Sequence, residues 1–383
     1  MRQTEPRQSW CGLLPLALIL SASASLAQPP ALALLSATLT ALRPHRDEHR
    51  ETRGATAALT TAKHQLRDWI ESQLTTLPQD GDASALEQQL HAALRDAKLL
   101  CEGPCFSLTS TLGYLDEVHL RREQEFLIVQ TSAGIWCGYD DSAYIYQWSH
   151  STWKRVWEIE QNIYTEQRYL PQALHAVHIS APGPQNRRLI LTLGAKPGCS
   201  AAFLPVYYRV FSWTAPRPPK LLLDRAELAD QAGLPPIQGE VTPTSGRLEF
   251  TAGGTGYGFG HQATRHFEFR GGKLQQTEPL APAPRDFVEE WLSAKWPQAA
   301  PLAESPALET WHRKFHREDG QGDFPDPTQQ CSPDLWQVPL KQHDNPATTY
   351  YLVRWKQPDH FTLAAISDQP HPACPTPPTE PRQ

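Results

Sequence analysis

The stretch Tyr144-Ile145-Tyr146-Gln147-Trp148, followed by a short polar turn and by Trp153-Lys154-Arg155-Val156-Trp157, decides the fold class of this chain. Apolar and polar residues that alternate on both sides of a short turn predict a β-hairpin. Similar aromatic-rich pairs of segments recur at residues 207–223, 265–274 and 350–363. Because these pairs return at intervals of about 60 residues, we predict an array of sheets built from one repeated unit.

The predicted fold class is mostly β, with repeated three- or four-stranded antiparallel sheets. Further segments with the two-residue period of a strand, such as 174–179, precede the hairpins. Sheets of this kind expose edges unless neighbouring units cover them. We therefore predict a propeller-like arrangement, with a multi-sheet β-sandwich as the alternative. Upstream, residues 55–77 and 82–100 each carry one apolar face at helical spacing, which predicts an N-terminal α-helical hairpin packed on the sheets.

The N-terminus has the three parts of an export signal. Arg2 and Arg7 supply the basic part, Leu13–Leu20 is a short apolar run, and Ser25-Leu26-Ala27 offers the small residues of a cleavage site. These features predict a signal peptide over residues 1–27 and an exported protein, periplasmic or extracellular. The apolar run is too short for a permanent membrane helix, and no transmembrane segment is predicted in the mature chain.

Changes of composition and periodicity divide the rest of the chain. The predicted divisions are an N-terminal helical segment (28–105), three antiparallel β units (106–278), a linker with a helical insertion (279–330), a final β unit (331–369) and a Pro-rich disordered tail (370–383). Within the insertion, the apolar spacing predicts a helix from Arg285 to Trp296 with Trp291 buried.

Six cysteines remain once the predicted signal peptide, which contains Cys11, is removed. An even number of cysteines in an exported chain favours disulfide bonds over a zinc site. Cys137 and Cys199 fall in equivalent loops of adjacent predicted units, so we predict that they bond to each other. The other two predicted bonds follow by elimination, and they are Cys101 with Cys105 and Cys331 with Cys374.

Two predicted loops supply the candidate binding residues. Asp140-Asp141 precedes an aromatic strand, where adjacent carboxylates suit calcium or acid–base chemistry, although Asp side chains in loops more often cap turns. The Gly-rich segment 253–260 is not followed by a helix and lacks the Gly-Lys-Ser/Thr triplet of a phosphate loop, so we predict a flexible connection between strands. Tyr257 and His261 are its candidate ligand-facing residues, because loops carry function disproportionately.

Two histidines four residues apart, His312 and His316, are candidates for a metal site, because such a pair shares one face of a helix. The competing interpretation is that both border the apolar face beside them, and a third ligand is not evident. No metal and no cofactor is therefore predicted. Glu289-Glu290, on the predicted insertion helix, is interpreted as a solvated face.

The predicted function is that of an exported, non-catalytic binding or scaffold module for a protein, peptide or glycan ligand. A net charge of −6 gives no reason to expect nucleic acid as a partner. The sequence motifs of serine hydrolases and kinases are absent, so nothing in it identifies an enzyme. The alternative is a secreted or periplasmic hydrolase that acts on a glycan or peptide through Asp and Glu residues brought together by the fold. Convergence of three or more acidic or histidine side chains in one open concave site would favour the hydrolase.

Overall fold

The computed structural model describes residues 30–44, 53–101, 112–135, 138–160, 173–195, 203–230, 237–252, 261–316, 322–323, 327–342, 347–357 and 360–374. The predicted signal peptide, Tyr257 and the cysteines Cys105, Cys137 and Cys199 lie outside these ranges. The bonds Cys101–Cys105 and Cys137–Cys199 therefore stay predictions, although Cys101 is disulfide-bonded.

Helices occupy the N-terminal part of the described chain and the region between the third and fourth sheets. They are α1 (Pro30–Leu42), α2 (Arg53–Leu74), α3 (Ala83–Asp96), α4 (Pro284–Ser293), α5 (Trp296–Ala299) and α6 (Leu308–Phe315). α3 begins after Asp82, whose side chain accepts a hydrogen bond from the Ser84 amide at 2.9 Å, as an N-cap residue does. Within the predicted N-terminal helical region, α1 packs along α2, whereas α3 packs against the first strand.

Strands follow from residue 115 onwards, in the alternating segments that the sequence predicts. They are β1 (Leu115–Glu123), β2 (Phe126–Ile135), β3 (Gly138–Ser149), β4 (Thr152–Ile159), β5 (Ala173–Ile179), β6 (Arg188–Ala195), β7 (Phe203–Trp213), β8 (Lys220–Asp230), β9 (Gln238–Val241), β10 (Ser245–Thr251), β11 (Gln262–Arg270), β12 (Lys273–Leu280), β13 (Gly322–Asp323), β14 (Gln329–Ser332), β15 (Leu335–Gln342), β16 (Thr348–Gln357) and β17 (His360–Ser367).

The strands form four separate antiparallel sheets, which confirms the predicted fold class. Sheet 1 has the order β1-β2-β3-β4, sheet 2 the order β5-β6-β7-β8, and sheet 3 the order β12-β11-β10-β9. Sheet 4 has the order β13-β15-β16-β17, with β14 also paired to β15. Each of the four predicted hairpins is a pair of adjacent antiparallel strands. Among the described residues, no sheet closes into a barrel.

Sheet 1 is buried on both faces because β2 is apolar at consecutive positions. Leu127 and Val129 point to one face and join the apolar sides of α1, α2 and α3 in one core. Phe126 and Ile128 point to the other face and pack against sheet 2, where the rings of Phe126 and Trp213 lie 5.1 Å apart. The helices thus cover one face of sheet 1 and sheet 2 covers the other.

Sheet 2 packs in turn on sheet 3, and α4 connects sheet 3 with sheet 4. Tyr208 of sheet 2 meets Phe267 of sheet 3, with 5.8 Å between ring centroids. α4 contacts β11 and β12 on one side and β15, β16 and β17 on the other. Trp291 of α4 is fully buried, as predicted, and its indole nitrogen donates a hydrogen bond to the Ala299 carbonyl at 3.1 Å. The layers therefore follow one another in space in the order of the chain.

Two further predictions concern the bond between Cys331 and Cys374 and the absence of a membrane-spanning helix. Cys331 and Cys374 are bonded, as predicted, so the chain after β17 is fastened to β14. In the part of the chain that the structure describes, none of the helices combines the length and apolar character that a bilayer crossing needs.

Candidate functional site

Asp140 and Asp141 lie inside β3, not in the loop that the sequence suggested, because β3 begins at Gly138. Successive side chains of a strand point to opposite faces. Asp140 therefore faces the helices, where its Oδ2 lies 3.0 Å from the Nζ of the buried Lys63. Asp141 faces sheet 2, where its Oδ2 accepts a hydrogen bond from the Leu174 amide at 2.6 Å. Each carboxylate ties sheet 1 to a different neighbour.

The environment of Asp141 favours its protonated form. Burial, assisted by the nearby charges of Asp140 and Asp116, raises the pKa of Asp141 to about 7. Hydrogen bonds from Ser132 and from the Leu174 amide favour the ionised form and offset part of this effect. A carboxyl that titrates near neutral pH between two sheets makes their interface sensitive to pH.

His312 lies in α6 and His316 directly follows that helix, and both rings contact the C-terminal end of α4. The Nε2 of His312 is 3.1 Å from the Trp291 carbonyl oxygen, and the Nδ1 of His316 is 2.7 Å from that of Leu292. The two rings are stacked, with centroids 5.0 Å apart. One nitrogen of each ring is thus engaged with carbonyls in the last turn of α4, where intrahelical partners are lacking. His312 also makes a hydrogen bond with the Ala294 backbone, and metal binding by the candidate pair stays a prediction.

A buried ionic cluster surrounds His261 at the junction of sheets 2 and 3 with α4. His261 immediately precedes β11 and is completely buried. Its Nδ1 contacts Glu289 Oε2 and lies 3.6 Å from Asp286 Oδ1, while its Nε2 lies 3.0 Å from Glu290 Oε1. Asp286, Glu289 and Glu290 converge because positions three and four apart share a face of α4. Both glutamates are buried, so their interpretation as a solvated face was wrong.

Arg265 extends the cluster from α4 to sheet 2. Its Nη1 lies 3.0 Å from Glu290 Oε1, and its Nη2 lies 2.7 Å from Glu227 Oε2 on β8. The hydroxyl of Tyr208 donates a further hydrogen bond to Glu227. One guanidinium therefore bridges two carboxylates from different layers, in the charge-assisted geometry that holds such pairs most strongly.

The cluster changes the ionisation of its members in opposite directions. Burial alone would lower the pKa of His261, but the hydrogen bonds with Glu289 and Glu290 outweigh it and raise the pKa to about 9. Burial raises the pKa of Asp286 to about 6, against the opposing charge of His261. For Glu290, burial is outweighed by Arg265 and His261, which lower its pKa. The cluster is a set of strongly interacting groups that water scarcely reaches.

A polar groove of about 590 Å³ lies over the outer face of sheet 3. It carries both signs of charge, and two of its lining residues come from sheet 4. The lining consists of Glu240, Thr242, Ser245, Gly246, Arg247, His266, Glu268, Arg270, Gln275, Gln276, Thr277, Gln357 and His360. Aromatic side chains that stack on sugar rings are not among these residues.

The groove floor is a ladder of side chains that strand pairing places side by side. Glu240 pairs in register with Arg247, and Arg247 with His266, so the three form a row across β9, β10 and β11. His266 Nδ1 and Thr277 Oγ1 are 2.8 Å apart, which continues the row onto β12. Side chains directly opposite on antiparallel strands are about 5 Å apart, close enough for a ligand to contact several at once.

The groove and most of the buried cluster do not follow from the sequence patterns. His261 was a candidate and lies at the centre of the cluster, whereas Tyr257 lies outside the described residues. The acidic residues at positions 286, 289 and 290 share one face of α4, and Phe287 and Trp291 lie beside that face, a pattern that could have indicated burial. Comparison of the chain with protein-family models and with curated proteins gives no match. The interpretation of these sites therefore depends on their geometry.

Proposed function

We propose that this protein is a non-catalytic binding module that holds an extended peptide in the groove over sheet 3. The observation that carries the proposal is the row of Glu240, Arg247 and His266 on one open sheet face. A row with both signs of charge complements a peptide whose side chains alternate in charge. The polar lining without aromatic residues favours a peptide over a glycan, which aromatic platforms would bind.

The buried cluster supports a binding role rather than hydrolysis. Its acidic side chains and histidine converge, but they are enclosed by α4 and sheets 2 and 3, and His261 has no solvent exposure. A substrate bond must reach the carboxylates that cleave it. The groups that converge thus hold layers together, and the accessible concave surface lies elsewhere.

A peptide library and a glycan array, both screened with the purified protein, test the proposal. We expect charged peptides to bind, and we expect Arg247→Glu to weaken the best of them by at least about tenfold, because it reverses a charge inside the row. Lys273→Glu is the matched control, since Lys273 is exposed in the same sheet and is not among the residues that line the groove. Binding that is equally strong in both variants, or binding to glycans alone, would contradict the proposal.

A hydrolase acting at the groove is the second candidate, because two carboxylates, Glu240 and Glu268, line the same surface. Two acidic groups that flank a scissile bond are the minimum for acid–base hydrolysis of a glycan. Incubation of the selected ligands with the protein, followed by mass spectrometry, separates the candidates. Intact ligands support binding alone, whereas cleavage that Glu268→Gln abolishes supports the hydrolase.

We also propose that the protein is exported and acts in the periplasm or outside the cell. The predicted signal peptide and the Cys331–Cys374 bond support this, because disulfide bonds persist in oxidising compartments. N-terminal sequencing of the protein recovered from fractionated cells is the test. A mature N-terminus at Gln28 in the exported fraction is expected, and an uncleaved protein confined to the cytoplasm would contradict it.

A further inference from the structure

We propose that His261, Asp286 and Glu289 form a binding site for one divalent metal ion of the zinc class, with Glu290 orienting the histidine. The three residues each offer one ligand atom, and these atoms all lie within 4.8 Å of one another. Zinc accepts an imidazole nitrogen together with carboxylate oxygens. The site is separate from the groove and does not depend on the function proposed for it.

The spacing of the ligand atoms suits a tetrahedral ion. Two ligands that are each about 2.1 Å from a tetrahedral zinc ion are about 3.4 Å from each other. The 3.6 Å between His261 Nδ1 and Asp286 Oδ1 is close to that separation. Glu289 Oε2 contacts Nδ1 directly, so the end of this flexible side chain rotates away as the ion enters.

The second nitrogen of His261 already has the partner that a ligating histidine needs. Metal-bound histidines almost always donate their other ring N–H to a carboxylate or carbonyl, which fixes the tautomer and the ring orientation. His261 Nε2 lies 3.0 Å from Glu290 Oε1, and Arg265 Nη1 donates to the same oxygen at 3.0 Å. Nδ1 is thereby directed towards Asp286 and Glu289.

The charge balance of the cluster also favours a dication. The carboxylates are those of Glu227, Asp286, Glu289 and Glu290, and the guanidiniums are those of Arg265 and Arg285. A metal ion requires a neutral imidazole. Entry of a divalent ion therefore displaces the proton of His261 and puts a dication among the carboxylates in place of that single positive charge. An uncompensated charge is costly in a buried site.

Titration of the purified protein with ZnCl₂ tests the site. The protein is first stripped with a chelator, then titrated at pH 7.5 by calorimetry, and the bound metal is counted by elemental mass spectrometry. We expect one equivalent of zinc in the wild type. Asp286→Asn and Glu289→Gln should each weaken binding at least tenfold, and Glu290→Gln by about 10–100-fold, the range known for orienting partners of metal ligands.

Two variants and one wild-type measurement serve as controls. Glu304→Gln removes a carboxylate that pairs with Arg354 and Lys356 away from the cluster, so zinc binding should be unchanged. His316→Gln tests the histidine pair on α6 and should also leave binding unchanged. Thermal unfolding of the wild type with and without zinc tests binding without depending on whether a variant folds. A wild type that binds no zinc, or that loses zinc with His316→Gln and keeps it with Glu289→Gln, overturns the proposal.

Discussion

Adjacent carboxylates on β3 have different roles because a strand sends neighbouring side chains to opposite faces. Asp140 forms a buried ion pair with Lys63 of α2, whereas Asp141 accepts a hydrogen bond from the first residues of β5. The two charges therefore cannot share one cation on one face. At this position, each of two adjacent residues adds a polar contact to one of the apolar interfaces that attach the helices and sheet 2 to sheet 1.

Asp141 should make the stability of the protein depend on pH. The folded protein keeps a proton on Asp141 up to about pH 7, while an unfolded chain releases it near pH 4. The folded-state pKa is raised, so this contribution to stability is complete below about pH 4 and is lost as the pH rises through 7. Asp141→Asn cannot ionise, so its advantage over the wild type in unfolding free energy should be about 3 kcal/mol larger at pH 8 than at pH 4.5.

Urea unfolding of Asp141→Asn at the two pH values measures this difference. Asp334→Asn is the control, because a hydrogen bond from Ser332 and the charge of Arg354 lower the pKa of exposed Asp334. The difference in unfolding free energy between Asp334→Asn and the wild type should not increase from pH 4.5 to pH 8. The same pH response in both variants would contradict the role assigned to Asp141.

The pair of Lys63 and Asp140 allows a test of a buried charge. Lys63→Met leaves Asp140 buried without its ammonium partner, which should lower the free energy of unfolding by about 3–5 kcal/mol. Adding Asp140→Leu removes the buried carboxylate as well and should restore most of the loss. Urea unfolding of the single and double variants provides the comparison, with exposed Lys273→Met as the matched control. A double variant less stable than Lys63→Met would argue against this account.

At the scale of elements, α4 is the connection between sheets 3 and 4. Its apolar side packs on sheet 4, while its acidic side meets His261 and Arg265 beside sheet 3. This division explains why a helix with acidic residues in its first turns is buried nearly all round. The helix serves both neighbours, one through apolar contacts and the other through ionic ones.

Trp291 should be the residue of α4 that contributes most to packing. Trp291→Ala removes a fully buried indole and its hydrogen bond to the Ala299 carbonyl, so we expect a loss of about 3–5 kcal/mol in unfolding free energy. Trp355→Ala is the matched control, because Trp355 is 41% exposed and a surface change of this kind should stay within about 0.5 kcal/mol. Equal losses, measured by urea unfolding, would show that α4 is not the connection described above.

The disulfide bond of sheet 4 should stabilise that sheet. It joins cysteines 43 residues apart, and for such a loop the chain-entropy model gives about 4 kcal/mol. Replacement of both Cys331 and Cys374 by serine should lower the midpoint of chemical unfolding accordingly. Variants are preferable to a reductant, because Cys101 is also disulfide-bonded and would be reduced as well. An unchanged midpoint would mean that the tail segment contributes nothing to the stability of the sheet.

Features that depend on neighbouring residues were predictable from the sequence, whereas sites formed by residues from distant segments were not. The hairpin at residues 144–157 and the buried Trp291 follow from periodicity within about 15 neighbouring residues. The interpretation of Glu289 and Glu290 failed because their burial depends on His261 and Arg265, which lie about 25 residues earlier and approach only when β11 meets α4. The groove likewise requires β9 to β12 to be in register, which short-range patterns do not specify.

At the scale of the whole molecule, apolar clusters connect the N-terminal helices to sheet 1, sheet 1 to sheet 2, and sheet 2 to sheet 3. The contact between sheets 1 and 2 combines the rings of Phe126 and Trp213 with Arg188, whose guanidinium lies 5.1 Å from the Phe126 ring and pairs with Glu125. An interface with tilted, closely packed aromatic rings and an adjacent ion pair is expected to couple the unfolding of the two sheets. The stability of one sheet therefore depends on its neighbour.

Trp213→Ala should weaken the contact between sheets 1 and 2 and so destabilise both of them. The loss of a buried indole at this interface should cost about 3–5 kcal/mol. Hydrogen exchange measured by mass spectrometry should show faster exchange in both β2 and β6 than in the wild type, because each is protected by the other sheet. Faster exchange in sheet 2 alone would mean that the layers open independently.

The order of the layers also bears on how the chain reaches this fold. Each sheet is a set of consecutive strands, and it packs on the layer that precedes it in the chain. Contacts between segments close in sequence form without closing long loops, which makes folding faster. In a chain that emerges N-terminus first from the ribosome or from a translocation channel, each new sheet could thus pack on the preceding layer as soon as it forms.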